Sequence, residues 1–200
     1  MTIRQRVLAF LYPFTKNVFR YSRNATILKD QSEVSVESSF YRLSSFLISG
    51  EPFNFEVLKG KVVMVVNTAS DCGYTAQYGE LENLQREFKE NLVILGFPAN
   101  DFKEQERGTD QEIETFCKKN YSITFPLMKK SSVRKGTAQH PVFVWLSDPN
   151  LNGWNSRKPD WNFSKYLINR KGQLVNYFGP VVSPLSKEIK SAILGNRLNF

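Results

Sequence analysis

The chain has 200 residues and a mass of 23.1 kDa, which suits one compact domain with or without an extension. Hydrophobic residues make up 41% and aromatic residues 14% of the sequence, so a mainly disordered, collagen-like or coiled-coil chain is excluded. The formal net charge is +8, and its distribution decides whether it points to nucleic acid.

The basic excess lies in an N-terminal arm. Residues 1–29 contain six Lys and Arg residues and no acidic residue, which gives +6. The other 21 basic residues and 19 acidic residues leave +2 for residues 30–200. Because the body of the protein is nearly neutral, we expect no nucleic-acid partner.

The arm allows more than one interpretation. Its apolar run from Val7 to Phe14 has eight residues, whereas a bilayer crossing needs about 20, and no clear secretory cleavage site follows. A solvated or loosely docked extension, an organelle-targeting peptide and a segment on an anionic membrane surface stay open. We assign residues 1–37 to a basic extension and expect a cytoplasmic protein, with targeting or peripheral membrane contact as alternatives.

Residues 38–200 form the predicted domain, and its first half has the pattern of a β-α-β unit. The run from Val62 to Asn67 is apolar and β-branched, which is typical of a strand buried on both faces. Apolar residues recur at helical spacing over residues 76–89, and Leu92–Phe97 is a second buried strand. This order predicts parallel strands with a right-handed crossover.

The second half continues with a polar loop and a helix that begins with the capping-box pattern Thr109 to Glu112. Phe163–Ile168 and Leu174–Phe178 predict a β-hairpin. Pro184–Leu194 predicts a closing helix with a proline near its first turn. The β-α-β opening and β-β-α ending indicate an α/β, thioredoxin-like fold with a central mixed β-sheet flanked by helices.

Cys72 lies between the end of a predicted strand and the start of a helix. Ligands bind at this carboxyl end of the strands in α/β sheets. The N–H groups and the positive dipole end of the helix are expected to lower the pKa of the thiol. A buried structural cysteine is the alternative, and position alone leaves both open.

Three segments carry a resemblance to a known family. They are Asn67–Thr75, Leu95–Phe102 with the following Gln105 and Glu106, and Trp161–Phe163. In this order they resemble the three signatures of the glutathione peroxidase family, the first being its peroxidatic-cysteine motif. The resemblance covers roughly residues 38–194 and implies a thioredoxin fold that reduces hydrogen peroxide and organic hydroperoxides.

The resemblance also implies a catalytic set of Cys72, Gln105, Trp161 and Asn162, without a metal or an organic cofactor because sulfur carries the redox change. The Cys72 thiolate would attack the terminal peroxide oxygen and become a sulfenic acid. The Gln105 and Asn162 amides and the Trp161 indole N–H would donate to the leaving oxygen. Without the three motifs, the simpler interpretation of Gln105 would be a solvated loop residue. Asn162 would be a turn residue and Trp161 a core aromatic.

The dipeptide Trp154–Asn155 repeats Trp161–Asn162. Gly, Ser and Pro surround the earlier copy, so we expect it to position side chains poorly, whereas the later copy runs directly into a predicted strand. Two residues depart from the family pattern: Asp101 stands where Gln is usual and Ala99 where Cys is frequent. An inward-facing Asp101 would oppose formation of the thiolate.

Cys117 lies on the apolar face of the capped helix, where a small buried hydrophobe is the simplest interpretation. However, Glu112–Tyr121 resembles the segment with the resolving cysteine in the two-cysteine, thioredoxin-using branch of the family. This implies a Cys72–Cys117 disulfide, for which the Cα atoms must approach within about 7 Å and the helix must partly unwind. Lys118 and Lys119 are expected to lower the pKa of Cys117, against the helix dipole.

Other functions stay open from the sequence. A glutathione-dependent peroxidase needs a tripeptide docking site, for which no motif is visible, and a redox sensor would pass oxidation to a client protein. A scaffold that has lost catalysis is disfavoured because both thiols are retained.

His140 lacks a G-x-S-x-G partner and is expected to begin a helix in a structural role. The chain lacks a long insertion between Pro126 and Trp161, the insertion that resembling tetrameric relatives use for subunit contacts, so we expect a monomer or a weak dimer.

Overall fold

The fold is taken from a computed structural model, which describes residues 1–20, 26–30 and 39–196. The strands are β1 (Ile27–Lys29), β2 (Ser44–Phe46), β3 (Pro52–Asn54), β4 (Val62–Thr68), β5 (Leu92–Pro98), β6 (Lys165–Ile168) and β7 (Leu174–Phe178). The α-helices are α1 (Ile3–Arg20), α2 (Gln77–Glu87), α3 (Asp110–Tyr121), α4 (Pro141–Ser147), α5 (Pro149–Asn152) and α6 (Lys187–Gly195). Two short 3-10 helices span Phe40–Arg42 and Phe55–Leu58.

A five-stranded mixed sheet in the order β1-β7-β6-β4-β5 forms the centre of the domain. The strands β4 and β5 are parallel, with Val62 opposite Leu92 and Thr68 opposite Pro98. The hairpin strand β6 pairs antiparallel with both β4 and β7. The predicted α/β arrangement, a mixed sheet flanked by helices, is confirmed.

The central strand β4 divides the core into two layers. Its residues alternate between the two faces of the sheet. Val62, Met64 and Val66 pack with residues of α2, α3 and α6, whereas Val63 and Val65 pack with α4 and the two 3-10 helices. Burial on both faces explains the unbroken apolar run in the sequence.

Three predicted elements have a boundary that was wrong by two residues or more. The helix predicted over 76–89 is shorter and spans Gln77–Glu87. The strand predicted from Phe163 begins at Lys165, because Phe163 has a left-handed φ of 67° in the preceding turn. The closing helix begins at Lys187 instead of Pro184, since the Ser186 side chain accepts from the Ile189 N–H and caps the helix there.

His140 begins α4 as predicted. Its Nδ1 accepts from the Val142 N–H over 3.2 Å, and its Nε2 lies 3.2 Å from the Ser45 hydroxyl. Burial lowers the pKa of the imidazole. These contacts fit the structural role expected for this histidine.

Part of the N-terminal extension joins the sheet. The short strand β1 pairs antiparallel with β7 at the sheet edge, with Ile27 opposite Phe178 and Lys29 opposite Asn176. The boundary predicted at residues 37 and 38 lies outside the described residues. In the part of the chain that the structure describes, we find no helix that is both long and apolar enough to cross a membrane.

Candidate active site

Cys72 lies in the turn that follows β4, at the carboxyl end of the parallel strands. Its N–H donates to Thr75 Oγ1 over 2.9 Å, and this hydroxyl donates to the Ala69 carbonyl over 3.0 Å. The Tyr74 N–H points back at the Cys72 Sγ over 3.4 Å. The turn therefore holds a side chain that is only 1% exposed.

Burial raises the pKa of the Cys72 thiol, which is the largest influence on it. Hydrogen bonds from the Tyr74 N–H, the Asn162 amide and the Trp161 indole act in the opposite direction, and the Asp71 charge adds to the rise. The prediction of a lowered pKa was wrong. The helix α2 begins only at Gln77, and of the N–H groups in the intervening turn the one of Tyr74 faces the sulfur, whereas the one of Thr75 donates to the Cys72 carbonyl over 3.1 Å.

Trp161 and Asn162 lie beside this thiol, and Gln105 is joined to them through Asn162. The Asn162 Nδ2 donates to Gln105 Oε1 over 2.9 Å, and the side chains of Asn162 and Trp161 are near enough to the Cys72 thiol to lower its pKa. Asn162 is fully buried, and its Oδ1 has no hydrogen-bond partner within the described residues. The structure thus brings together the four residues that the sequence selected, while their catalytic roles stay predictions.

Asn67, at the end of β4, positions the turn that carries Trp161 and Asn162. Its Nδ2 donates to the Trp161 carbonyl and its Oδ1 accepts from the Ser164 N–H, both over 3.0 Å. Its own carbonyl accepts from the Phe163 N–H over 2.6 Å. The motifs in the sequence indicated no separate role for Asn67, although a polar side chain that ends an apolar strand is the signal that would have found it.

The Gln105 loop is fixed from both ends. Lys103 and Glu104 precede Gln105 with left-handed φ angles of 52° and 51°, and the Gln105 carbonyl accepts from the Asp71 N–H over 3.0 Å. The Trp161 ring lies 5.6 Å from the Phe102 ring. These contacts tie the Gln105 loop to the Cys72 turn and to the Trp161 turn.

Asp101 does not act as the inward-facing carboxylate that would oppose formation of the Cys72 thiolate. Its carboxylate accepts from the Ser132 hydroxyl over 2.9 Å and from the Val133 N–H over 2.6 Å. The Asp101 carboxylate is therefore hydrogen-bonded to the loop before α4. Asp101 is also not among the groups that shift the pKa of Cys72.

Comparisons with known proteins decide the family. Residues 40–147 match the family model described as glutathione peroxidase. The glutathione peroxidase-like peroxiredoxin HYR1 of Saccharomyces cerevisiae is 44% identical over 150 residues, which are 74% of this chain and 91% of that protein. The chain belongs to the glutathione peroxidase family. It is a peroxidase, as the sequence predicted.

Solved structures agree with this membership. The crystal structure of T. cruzi GPX1 is 28% identical, covers 80% of the peroxidase and 96% of its own chain, and has a TM-score of 0.61. A thioredoxin-family thiol:disulfide interchange protein from Chlorobium tepidum TLS is 17% identical, covers 83% and 99%, and has a TM-score of 0.55. The second likeness concerns the fold alone, and it confirms the predicted thioredoxin-like fold.

The second cysteine of the peroxidase, Cys117, is a fully buried free thiol on α3. Burial raises its pKa to about 12, the Tyr78 hydroxyl acts in the opposite direction, and the Glu106 and Glu114 charges add to the rise. The expectation that neighbouring lysines lower this pKa was wrong. Lys118 is exposed and pairs with Glu114 over 2.7 Å, so its charge stays in solvent.

Both cysteines belong to the same apolar cluster, yet each is a free thiol on a different element. The structure therefore does not join Cys72 and Cys117 in a disulfide. A disulfide between them would need their Cα atoms within about 7 Å of each other.

Glu106 is a site feature for which the sequence indicated no role. It follows Gln105 directly, is 1% exposed and accepts from the Ser70 hydroxyl over 3.1 Å. Burial raises its pKa to about 7. Its charge also raises the pKa of both Tyr78 and Cys117.

The repeated dipeptide is well ordered and serves the scaffold. The Trp154 indole donates to the Leu174 carbonyl over 2.7 Å, and the Asn155 amide donates to the Leu146 carbonyl over 2.6 Å. The expectation that this copy would be poorly positioned was wrong. Its donors are taken by the main chain of β7 and α4, while those of Trp161 and Asn162 reach Cys72.

An open cleft of about 620 Å³ lies beside the site. The Cys72 turn and the Gln105 loop form two of its walls, and α1 and α3 form the others. Its lining includes Ser70, Asp71, Gln105, Gln5 and Phe116. Across residues 1–20, 26–30 and 39–196 we find no group of three or more His, Cys, Asp or Glu side chains placed to share a metal ion.

Proposed function

We propose that this peroxidase reduces hydrogen peroxide and organic hydroperoxides with Cys72 as its nucleophile, and that thioredoxin recycles it through a Cys72–Cys117 disulfide. The observation that carries the proposal is the convergence of three donors on one buried thiol. These are the N–H of Tyr74, the amide of Asn162 and the indole of Trp161. Buried donors of this kind stabilise negative charge strongly.

In the first step, the thiolate of Cys72 attacks the terminal oxygen of the hydroperoxide. The O–O bond breaks, the sulfur is oxidised to a sulfenic acid, and the second oxygen leaves as water or an alcohol after it takes up the proton that the Cys72 thiol released. The side-chain carbonyl of Gln105 accepts from the Asn162 amide. The side-chain N–H groups of Gln105 therefore donate to the leaving oxygen. The buried Asn162 Oδ1, which has no hydrogen-bond partner among the described residues, accepts from the hydroperoxide O–H.

In the second step, the sulfur of Cys117 attacks the sulfenic sulfur. Cys117 loses its proton, water leaves, and a disulfide forms. The helix α3 must open for this, and it is held weakly: only Ile113 and Cys117 among its residues are buried. The residue that caps its C-terminus, Ser122, is a non-glycine residue with a left-handed φ of 50°. Local opening of such an element costs less than global unfolding.

In the third step, a dithiol reductant exchanges with the disulfide and restores both thiols. Thioredoxin provides two thiols in one protein, and opening of α3 brings the disulfide to the surface. Glutathione is the alternative donor. Recycling of this kind needs a reducing compartment, which accords with the cytoplasmic location expected from the sequence.

Two serine variants test the proposal. Cys72→Ser removes the nucleophile and is expected to abolish peroxide reduction, because a hydroxyl forms no comparable anion at neutral pH. Cys117→Ser is expected to consume one equivalent of peroxide and then stop when thioredoxin is the donor. Stopped-flow peroxide consumption, followed by turnover assays with thioredoxin and with glutathione, distinguishes the steps.

The outcomes separate the parts of the proposal. Full thioredoxin-dependent turnover by Cys117→Ser would remove Cys117 from the cycle. Peroxide consumption by Cys72→Ser at the rate of the unmodified protein would remove Cys72 as the nucleophile. Faster turnover with glutathione than with thioredoxin would reassign the donor alone.

A further inference from the structure

The N-terminal helix α1 turns its apolar side away from the protein. The side chains of Ile3, Val7, Phe10 and Leu11 are 82%, 50%, 72% and 44% exposed. Their spacing of four, seven and eight residues from Ile3 places them on one face of the helix. A helix that packs on a core shows the opposite arrangement, with such residues buried.

The other side of α1 is fixed to the domain. Tyr12 is 4% exposed, and its hydroxyl donates to Glu80 on α2 over 3.3 Å. The Gln5 amide donates to the Ser70 carbonyl over 2.9 Å. Arg4 pairs with Asp71. Because these contacts reach α2 and the Cys72 turn, they hold the helix with Ile3, Val7 and Leu11 directed outward.

The charge of the N-terminal arm indicates which kind of partner the apolar face of α1 would bind. Residues 1–29 carry +6 with no acidic residue, whereas residues 30–200 carry only +2. Arg6 is exposed next to the apolar row. An apolar row accompanied by basic side chains is the pattern of helices that lie in the interface of anionic membranes.

A second copy of the chain fits the same face less well. Two such arms packed face to face would bring two charges of +6 together, and like charges close to each other oppose association. An anionic bilayer instead offers acyl chains to the apolar row and negative headgroups to the basic residues.

We propose that α1 binds the surface of anionic lipid bilayers through the face formed by Ile3, Val7 and Leu11. The helix then lies in the headgroup region, with Tyr12 and Gln5 still attached to the domain. Since α1 also forms a wall of the cleft beside Gln105, binding places that cleft next to the membrane. The binding itself does not depend on the catalytic role proposed above.

Vesicle co-sedimentation of the full-length protein tests this proposal. The protein is expected to bind vesicles of phosphatidylcholine that contain phosphatidylglycerol, to bind pure phosphatidylcholine vesicles much more weakly, and to dissociate as salt is raised. Val7→Asp is expected to reduce binding by about tenfold or more, since it replaces an apolar side chain that would enter the bilayer with a charge. Val57→Asp is the matched control, because Val57 is 71% exposed on a 3-10 helix of the domain.

A second pair of variants tests the charge without changing the apolar row. Arg6→Glu is expected to weaken binding to the anionic vesicles severalfold. Lys89→Glu changes the net charge equally at a side chain that is 76% exposed just after α2, and it is expected to bind like the unmodified protein. Circular dichroism and hydrogen peroxide consumption confirm that each variant is folded.

Several results would overturn the proposal. One is the absence of binding to the anionic vesicles at low salt. Another is an equal loss of binding in Val7→Asp and Val57→Asp, or in Arg6→Glu and Lys89→Glu. A stable dimer that light scattering detects and that Val7→Asp dissociates would instead assign the face to a second copy.

Discussion

The amide of Asn162 donates to the side-chain carbonyl of Gln105 over 2.9 Å, across 57 residues of sequence. The bond joins the loop after β5 to the turn before β6, so the two side chains are held as one unit next to Cys72. Each therefore depends on the other for its orientation. Groups that share a hydrogen bond in this way respond non-additively to substitution.

The first prediction concerns this pair. Gln105→Ala and Asn162→Ala are each expected to slow the reaction with peroxide by about tenfold to a thousandfold, as loss of one transition-state donor does. The double variant is expected to lose less than the product of the two single losses, because either change already breaks the shared bond. Stopped-flow measurement of the peroxide step in a Cys117→Ser background isolates the effect.

Gln111→Ala is the control for the amide change, since Gln111 is exposed on the first turn of α3. It is expected to react like the parent. If the losses in the two single variants multiply in the double variant, Gln105 and Asn162 act independently and the bond between them has no kinetic role.

The second prediction concerns pH. Burial raises the pKa of the Cys72 thiol above its ordinary value, so the thiol form dominates at neutral pH. The rate of alkylation of Cys72 by iodoacetamide, measured in a Cys117→Ser background, is expected to rise about tenfold per pH unit from pH 7 to 9. Asn162→Ala removes a donor to the thiolate and is expected to shift this profile to higher pH.

A plateau in the alkylation rate below pH 8 would contradict this prediction, because it would place the pKa of Cys72 below the ordinary value. The Gln111→Ala variant again serves as the control and is expected to keep the parent profile.

Local patterns in the sequence were sufficient for much of the fold. The buried strand β4 follows from an apolar, β-branched run, and the start of α3 follows from the spacing of Thr109 and Glu112. Both signals involve residues that are close in the chain. The edge strand β1 has only three residues and no clear alternation, so its pairing with β7 was not predictable from local pattern.

The residues of the site were even less predictable from local sequence patterns than the fold was. The grouping of Cys72 with Gln105 and Asn162 came from the resemblance to a family, because residues far apart in sequence meet there. The pKa of Cys72 was predicted with the wrong sign, since burial by residues distant in the sequence is the largest influence on it. The contact of Arg4 with Asp71 depends on how α1 docks, which no motif records.

The third prediction uses the buried carboxyl group of Glu106. Its pKa is raised from 4.5 to about 7, so between these values the folded protein holds a proton that the unfolded chain has released. The free energy of unfolding therefore falls as the pH rises from 4.5 to 7. At about 1.4 kcal/mol per pKa unit, the loss is about 3 kcal/mol.

Glu106→Gln removes this titration and keeps an oxygen that accepts from the Ser70 hydroxyl. The variant is expected to gain stability relative to the parent between pH 5 and pH 8, as urea unfolding at both pH values measures. Glu90→Gln is the control, since the Glu90 side chain is 78% exposed. A stability difference between Glu106→Gln and the parent that is the same at both pH values would show that Glu106 is already ionised in the folded protein at pH 5.

The fourth prediction concerns the opening of α3. Thr109 Oγ1 accepts from the Glu112 N–H over 3.3 Å, and Glu112 Oε2 accepts from the Thr109 N–H over 2.7 Å. Thr109→Ala removes the side-chain half of this cap, which costs a helix about 1 kcal/mol. Since only two of the residues of α3 are buried, we expect this change to favour local opening and to speed formation of the Cys72–Cys117 disulfide by about fivefold. The peroxide step is expected to be unchanged. Rapid quenching after one equivalent of peroxide, followed by counting of free thiols, measures both steps.

Thr115→Ala is the matched control, because Thr115 lies within the same helix and its hydroxyl donates to the Gln111 carbonyl over 2.8 Å. Alanine is the better helix former at that position, so disulfide formation is expected to stay the same or to slow down. Equal rates in Thr109→Ala and the parent would mean that the two sulfurs meet without any unwinding at the start of α3.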